Sequence, residues 1–293
     1  MKIGILGQPR GWHTTALQQA LIQRGIQASC FPITRLTGRV GARPRLTADL
    51  EDELARYDAL FVRTIPGGSL EQIIFRVDAL HRLENAGVRV INSPTAIERT
   101  VDKYYTSTLL EDAGLPTPRT IVSEQFDQAM AAFEALGRDV VVKPLFGSEG
   151  RGMVRVSDPD VAYRVFRALE LGRSVYYLQE FVPHGHEDIR LFVIGPRVIA
   201  AMKRQGQTWK TNVAQGATAV ALIPDDELTT MALRAARAVK TDYAGVDILP
   251  VAGGGYTVIE VNGIPGWHGL RRATGVDAAE HLVSYVLESQ NPR

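Results

Sequence analysis

The chain has 293 residues, a formal net charge of +1 and an apolar fraction of 45 %. That length holds two or three compact units with real cores. The scattered basic residues exclude the positive stripe that non-specific nucleic-acid binding needs, and no apolar run is long enough to span a membrane or act as a secretory core. The single cysteine, Cys30, excludes an internal disulfide and reads as a buried structural thiol, because nothing marks it as activated. A cytoplasmic, reducing setting follows.

In chain order, Lys2 to Leu6 reads as a strand that ends in the turn Gly7 to Gly11, followed by a helix over about His13 to Arg24. Gln27 to Pro32 is a second strand, and the basic stretch Arg35 to Arg45 reads as a surface loop. Ala59 to Val62 is a third strand with Arg63 at its end, then a turn to Ser69, a helix of about Leu70 to Ala86 and a strand at Val88 to Ile91. Strands alternating with helices predict a parallel sheet, with ligands beyond the carboxyl ends of its strands. Gly7 to Gly11 and Arg63 to Ser69 lie there. This first α/β domain is expected over residues 1–93.

Thr95 and Glu98 have the spacing of a capping box, and helical sequence runs on to Ala113 with Asp102, Lys103 and Tyr104 inside it. Strands at Thr120 to Val122, Asp139 to Val142 and Gly152 to Val156, with helices near Phe126 to Leu136 and Pro159 to Leu171, make a central α+β unit over 94–175. The last unit, 176–293, begins with the strand Tyr176 to Val182. A hairpin about Gly195 follows, then the polar loop Gln205 to Gln215 and a strand at Ala217 to Leu222. A helix spans Asp225 to Thr241, and strands Ala244 to Leu249 and Tyr256 to Asn262 flank Gly253-Gly254-Gly255. A final helix covers about Asp277 to Glu288.

Lys143 ends a buried-type strand and is followed by Gly147, Gly150 and Gly152. Two readings fit: a loop whose backbone amides and lysine cover phosphates, and a hairpin turn with a solvated lysine. Glu260 and Asn262 are two apart on a strand and so share a face. Asp247 lies on the strand joined to theirs by the triple-glycine turn. Hard oxygen donors of this kind suit Mg²⁺ or Mn²⁺ rather than zinc. An exposed polar sheet face is the alternative, but the neighbours are apolar, and an unpaired acid buried among them is costly. Lys103 and Lys143 supply cations for phosphates, and Gln179-Glu180-Phe181-Val182 has the form of a hinge whose backbone reads an adenine edge.

In this order, Lys103, the Lys143 to Gly152 loop, Gln179-Glu180-Phe181, Asp188-Ile189-Arg190, Trp209-Lys210-Thr211-Asn212, Gly245-Val246-Asp247-Ile248 and Glu260-Val261-Asn262-Gly263-Ile264-Pro265-Gly266 resemble an ATP-grasp enzyme. They resemble more closely the RimK-type α-L-glutamate ligases. The resemblance covers about Asp102 to Glu288 and implies an ATP-grasp fold behind an N-terminal parallel α/β domain. It implies a ligase in which a carboxylate takes the γ-phosphoryl group of ATP to give an acyl phosphate, and an amine, L-glutamate, displaces phosphate. Lys103 and Lys143 would hold the α- and β-phosphates, and the loop with Gly147, Ser148, Gly150 and Gly152 would close over them. Glu180 and Val182, flanked by Gln179 and Phe181, would meet the adenine. Asp188 would lie near the ribose, and Lys210 and Thr211 would belong to the nucleotide site. Asp247, Glu260 and Asn262 would hold two Mg²⁺ ions. Arg190 and Arg204 would neutralise the acyl phosphate or bind a substrate carboxylate, and Asn212 would reach the phosphate or the tetrahedral intermediate.

Lys210-Thr211-Asn212 stands where many relatives carry Arg-Ser-Asn or Arg-Thr-Asn, and Gln215-Gly216 where they often carry Arg-Gly. Lysine keeps the charge and loses the planar fork, which touches the amino-acid substrate more than the nucleotide. Two Trp-His pairs, Trp12-His13 and Trp267-His268, can stack on a planar ring or pack as ordinary loops. The N-terminal pattern resembles glutamate ligases associated with tetrahydromethanopterin or methanofuran-type carriers, so a small-molecule carboxylate acceptor is expected. A protein-tail glutamyl ligase and a non-catalytic ATP-binding module are the alternatives. No nucleic acid or membrane partner is expected, and a homo-oligomer is left open.

Overall fold

The computed structural model describes residues 1–50, 52–147 and 150–289. The N-terminal part contains β1 (Ile3–Leu6), α1 (Trp12–Ile22), β2 (Ala28–Phe31), β3 (Leu36–Gly38), β4 (Leu46–Ala48), β5 (Asp52–Glu53), β6 (Ala59–Val62), α2 (Leu70–Asn85) and β7 (Arg89–Ile91). β2, β1, β6 and β7 form a parallel sheet in that order. The central strands β1 and β6 are apolar and buried at every residue, on both faces, as a helix-covered parallel sheet requires, while the edge strand β2 is only partly buried. The stretch expected as a loop from Arg35 to Arg45 instead starts and feeds a small antiparallel sheet, β3–β4–β5. Leu36, Leu46 and Ala48 drop into the N-terminal core, while Arg39, Arg43, Pro44 and Arg45, which suggested a loop, occupy the β3–β4 turn.

The expected helix from Thr95 to Ala113 is two helices, α3 (Pro94–Val101) and α4 (Lys103–Asp112). Asp102 sits between them with φ −88 and ψ 107, and its carboxylate accepts from the Tyr105 amide. The break puts Lys103 at the first turn of α4 rather than inside a continuous rod. The α3 cap is Ser93, which accepts from the Ala96 amide with Pro94 in the first turn, and not Thr95.

The central sheet has the order β10–β9–β11–β8, with β8 (Thr120–Ser123), β9 (Val140–Lys143), β10 (Val154–Val156) and β11 (Tyr176–Glu180). It is backed by α5 (Phe126–Ala135) and α6 (Pro159–Leu171). β11 pairs with both β8 and β9, so a domain boundary at 175 would cut this sheet, and the central unit runs through Glu180. The C-terminal sheet has the order β14–β13–β12–β15–β16. Its strands are β12 (Glu187–Ile194), β13 (Arg197–Gln205), β14 (Thr218–Leu222), β15 (Tyr243–Pro250) and β16 (Tyr256–Asn262). α7 (Asp226–Ala238) covers one face, packing on Leu191, Val193, Val246 and Ile248. α8 (His268–Thr274), a short helix absent from the expectation, precedes α9 (Ala278–Glu288). No helix among the described residues is long and apolar enough to cross a membrane.

Candidate active site

Period 2 decides what the uncovered face of the C-terminal sheet carries. Phe192, Ile194, Met202 and Tyr243 at one end join the core shared with α1, α9 and the N-terminal sheet. At the other end of the same face stand Asp188 and Arg190 on β12, Arg204 on β13 and Asp247 on β15. Asp188 is the register partner of Arg204, and Asp247 is the partner of both Arg190 and Glu260. Arg204 holds Asp188 bidentately, with Nε to Oδ1 at 2.6 Å and Nη2 to Oδ2 at 2.5 Å, and Thr211 Oγ1 donates to the same Oδ2. Arg190 holds Asp247 through two bonds of 2.6 Å, and Arg204 Nη2 lies 3.0 Å from Asp247 Oδ2. Burial alone would raise the Asp247 carboxyl, but the two guanidiniums outweigh it and hold it below the usual carboxylate range. Expected near a ribose, Asp188 is 2 % exposed and both its oxygens are engaged, so it orients Arg204.

The central sheet faces this row from across a cleft of about 870 Å³. Lys143 Nζ donates to Gln179 Oε1 at 2.6 Å. Gln179 is itself fixed by Thr120 and Tyr177, and the Tyr177 hydroxyl meets Ser107 on α4 at 2.9 Å. The Gln179 side chain is thus a brace for Lys143. Lys103 Nζ donates to Gly147 O at 2.7 Å. Burial of the Lys143 ammonium, only partly offset by Glu260, lowers its pKa to about 8, and burial lowers that of Lys103 as well. Gly150 has φ +70 and lies against Asn212 Oδ1 with no room for a Cβ, so the glycine loop meets the Lys210-Thr211-Asn212 segment there. Ser148 lies outside the described residues. Gly152 packs beside Pro144 and does not line the cleft.

The remainder of the cleft is apolar. Val141, Met153, Phe181, Leu249 and Ile259 line it together with Pro118, Val182, Trp209 and His184. Of these, Val141 and Leu249 were legible in principle, each two residues from a named polar group on its own strand. Ile259 was not. The β15–β16 register runs Asp247 with Glu260 and then Ile248 with Val258, so Ile259 is the extra residue of a bulge. The bulge turns both Ile259 and Glu260 into the cleft. Arg155, also absent from the expectation, lies 3.4 Å over the Phe181 ring and is held bidentately by Asp139. Glu180 directs its carboxylate to the amide and Nε of Arg119, and Glu180, Phe181 and Val182 line the cleft.

The oxygen donors fit a hard divalent cation. Asp247 and Glu260 are cross-strand partners, Asn262 follows two residues on, and the Glu260 carboxylate makes no hydrogen bond to a described residue. Asn262 Nδ2 is buried without a hydrogen-bond partner among the described residues. Among the described residues no three His, Cys, Asp or Glu side chains converge. Two carboxylates and an amide are the donor types that Mg²⁺ takes and completes with water and substrate phosphate; of the three, Asp247 is held by Arg190 and Arg204. Arg190 and Asn262 do not line the cleft directly. Arg190 joins it through Asp247, and Asn262 lies at the sheet end.

The Trp-His pairs pack on each other. Trp12 meets His13 and His268 edge-on at 4.9 and 4.8 Å, and His13 meets Trp267 at 4.7 Å. Cys30 donates weakly to Gly7 O, and burial raises its pKa, so it stays a thiol.

Residues 100–286 match the family model described as the RimK-like ATP-grasp domain. The chain is 36 % identical to a tetrahydromethanopterin:alpha-L-glutamate ligase of Methanococcus maripaludis, covering 98 % of each chain. It is 32 % identical to the protein of that name from Methanosarcina acetivorans, over 97 % of this chain and 98 % of the relative. The ATP-grasp ligase PsnB, solved with a minimal precursor, Mg and ADP, superposes with a TM-score of 0.76 at 24 % identity, covering 99 % of this chain and 98 % of that one.

Proposed function

Because the chain belongs to the RimK-like ATP-grasp family and is an ATP-grasp ligase, we propose that it joins L-glutamate, through its amino group, to a carboxylate of a small-molecule cofactor of the tetrahydromethanopterin or methanofuran type. The observation that carries the chemistry is the convergence in one cleft of Lys103, Lys143, an apolar slot and the Asp247–Glu260 pair. The choice of acceptor rests on the near full-length likeness to ligases named for it.

In this reading the adenine lies in the slot of Val141, Phe181, Leu249 and Ile259, with the Glu180–Val182 backbone at its edge. Lys103 and Lys143 hold the α- and β-phosphates as point charges, and the Gly147–Gly152 loop covers them. Asp247, Glu260 and Asn262 hold divalent metal, two Mg²⁺ ions with Mn²⁺ as a substitute. When bound, the metal neutralises charge on the β- and γ-phosphates. An acceptor carboxylate oxygen attacks the γ-phosphorus, the bond to the bridging oxygen breaks, and ADP leaves. The glutamate amine attacks the acyl carbon of the resulting acyl phosphate, phosphate departs with the C–O bond, and the nitrogen gives up a proton. Arg190 and Arg204 offset the charge of the acyl phosphate. They can do so without drifting because Asp247 and Asp188 hold each guanidinium plane. Asn212, at the tip where the glycine loop meets the C-terminal segment, donates to the phosphate or to the tetrahedral oxygen. No protein nucleophile is required, and rate comes from positioning and charge.

The test combines the protein with ATP, Mg²⁺, L-glutamate and a tetrahydromethanopterin-type acceptor. ADP release with an acceptor mass increased by one or more glutamyl residues is the expected result. Glutamylation of a peptide carrying a ribosomal-type acidic tail, with the small acceptor untouched, would replace this reading by the protein-tail one.

A further inference from the structure

In open parallel sheets the crest at the carboxyl ends of the strands is where ligands bind. Here the chain's own loop after β16, Gly263 to His268, fills that crest. Three residues grip it. Asn92, next after β7, donates through Nδ2 to Gly263 O at 2.5 Å and to Tyr243 O at 2.8 Å, and its Oδ1 accepts from the Asp242 and Tyr243 amides. Arg63, next after β6, donates to Pro265 O at 2.8 Å and to the Tyr243 hydroxyl at 2.6 Å, and its guanidinium lies 4.4 Å over the Trp267 ring. His13, at the start of α1, accepts from the Trp267 amide at 3.0 Å. These contacts fall on the open end of the β15–β16 hairpin, opposite the Gly253–Gly255 turn, at Asp242, Tyr243 and Gly263, and on the loop that continues from it, at Pro265 and Trp267.

That hairpin carries Asp247, Glu260 and Asn262. Asp247 and Glu260 sit inside the ladder, which fixes them. Asn262 is paired with Gly245 at the last rung, and beyond it the chain leaves the sheet. The Asn262 Nδ2 has no hydrogen-bond partner among the described residues, so no neighbour turns the amide, and its direction follows from the backbone on either side. Gly263 is pressed against Thr100 of α3, where a Cβ has no room. Arg63 is 8 % exposed and has no carboxylate partner among the described residues. A buried cation so placed carries a desolvation cost, and the geometry shows what it holds: Tyr243 of β15 and, at once, Pro265 of the loop that continues from β16.

We infer that Asn92 and Arg63 are positioning residues for the divalent-metal set, fixing the open end of the hairpin so that Asn262 is presented beside Glu260. The N-terminal sheet then serves the reaction as a clamp on the metal strand. This rests on the metal reading above, and the experiment separates the two. Mn²⁺ is titrated into the full-length protein with ADP present and followed by electron paramagnetic resonance, for wild type, Arg63→Met, Tyr243→Phe and Glu260→Gln. Arg63→Met keeps an apolar stem on Trp267 and loses both donors. It is expected to weaken Mn²⁺ binding by about tenfold or more, the usual effect of removing a group that orients a ligand, with metal-free ADP affinity unchanged. Tyr243→Phe, which removes one hydroxyl, shifts it less in the same direction. Wild-type Mn²⁺ affinity in Arg63→Met, whatever its melting temperature, overturns the clamp. If that variant does not fold, wild-type affinity in Tyr243→Phe does so. Weakened binding in Glu260→Gln with none in Arg63→Met overturns the clamp and leaves the metal reading standing, whereas unchanged binding in Glu260→Gln overturns both.

Discussion

The central unit and the N-terminal sheet meet the C-terminal sheet in opposite ways. The central unit closes its core from residues between Ile121 and Phe126 at one end and Leu178 at the other, with nothing borrowed from either neighbour. Across the cleft it makes separate point contacts rather than a continuous core: Lys103 to Gly147, Gly150 against Asn212, and the Phe181 edge 6.3 Å from Trp209. The N-terminal sheet instead shares one core with β12, β13, β15, α8 and α9, in which Ile3, Leu17 and Phe61 are continuous with Phe192, Tyr243 and Trp267. A shared core transmits position, and a separate core permits displacement. On the proposed reading the metal ligands stand on the half fixed by the shared core, while Lys143 and the glycine loop stand on the half with a core of its own, which would serve as the cover.

The largest effect should come from the fixed half. Glu260→Gln keeps the shape of the side chain and removes its charge. Turnover with Mg²⁺ should fall on the order of 10³-fold, about 4 kcal/mol of transition-state stabilisation, with melting unchanged within a few degrees. Steady-state ADP release and a thermal scan measure both. Near-normal turnover in this variant would move the metal site away from the hairpin and break the comparison at its root.

Lys143 tests the cover. Its pKa is lowered to about 8 in the nucleotide-free protein. The charged form that binds phosphate is therefore lost as pH rises through about 8, and kcat/KM for ATP should fall above that pH. Lys143→Arg, charged throughout, should flatten the fall while lowering efficiency by a smaller factor than Glu260→Gln. Phosphate favours the ammonium, so ADP binding near pH 8.5 should take up a proton. Calorimetry in two buffers of different ionisation enthalpy measures it. Proton release, or an unchanged profile in Lys143→Arg, would assign the alkaline limb to another group.

How legible this was follows the same division. Strands with uninterrupted β-branched runs, such as Val140–Val142 and Thr257–Ile259, announce themselves, and with them the neighbouring Lys143, Glu260 and Asn262. Period 2 also reaches Leu249 from Asp247. Three things were out of reach for distinct reasons. The helix break at Asp102 depends on one residue choosing extended backbone within helical composition. Ile259 faces the cleft because of a bulge that only pairing reveals. The grip of Asn92 and Arg63 spans more than 150 residues of sequence, and no local pattern encodes it. The bidentate Arg204 partner of Asp188 was likewise out of reach, because a motif gives position along a strand and not the arginine on the next one.

The smallest expected effect sharpens the comparison from the seam side. His13 has its pKa lowered to about 4 by burial first and then by Arg63 and His268. The unfolded chain takes up this proton near pH 6.5 and the folded chain only near 4, so the unfolded state binds more protons in between. Stability contributed by neutral His13 is therefore complete above about pH 6.5 and is lost as pH falls toward 4, at a slope of at most about 1.4 kcal/mol per pH unit and less because the ring is only partly buried. Protonation also removes the lone pair on Nε2 that accepts from the Trp267 amide, so the lost stability is lost at the clamp. The central unit has no histidine between Thr120 and Glu180 and should show no matching sensitivity from pH 7 to 5. Hydrogen exchange read by segment, corrected for intrinsic rates, should loosen at residues 263–270 before residues 120–180. His13→Gln, which keeps an acceptor that does not titrate, should remove part of the slope in melting temperature. Equal loosening of both segments, or an unchanged slope in His13→Gln, would mean that the seam is not held more tightly by neutral His13 than the cover is held by its own core.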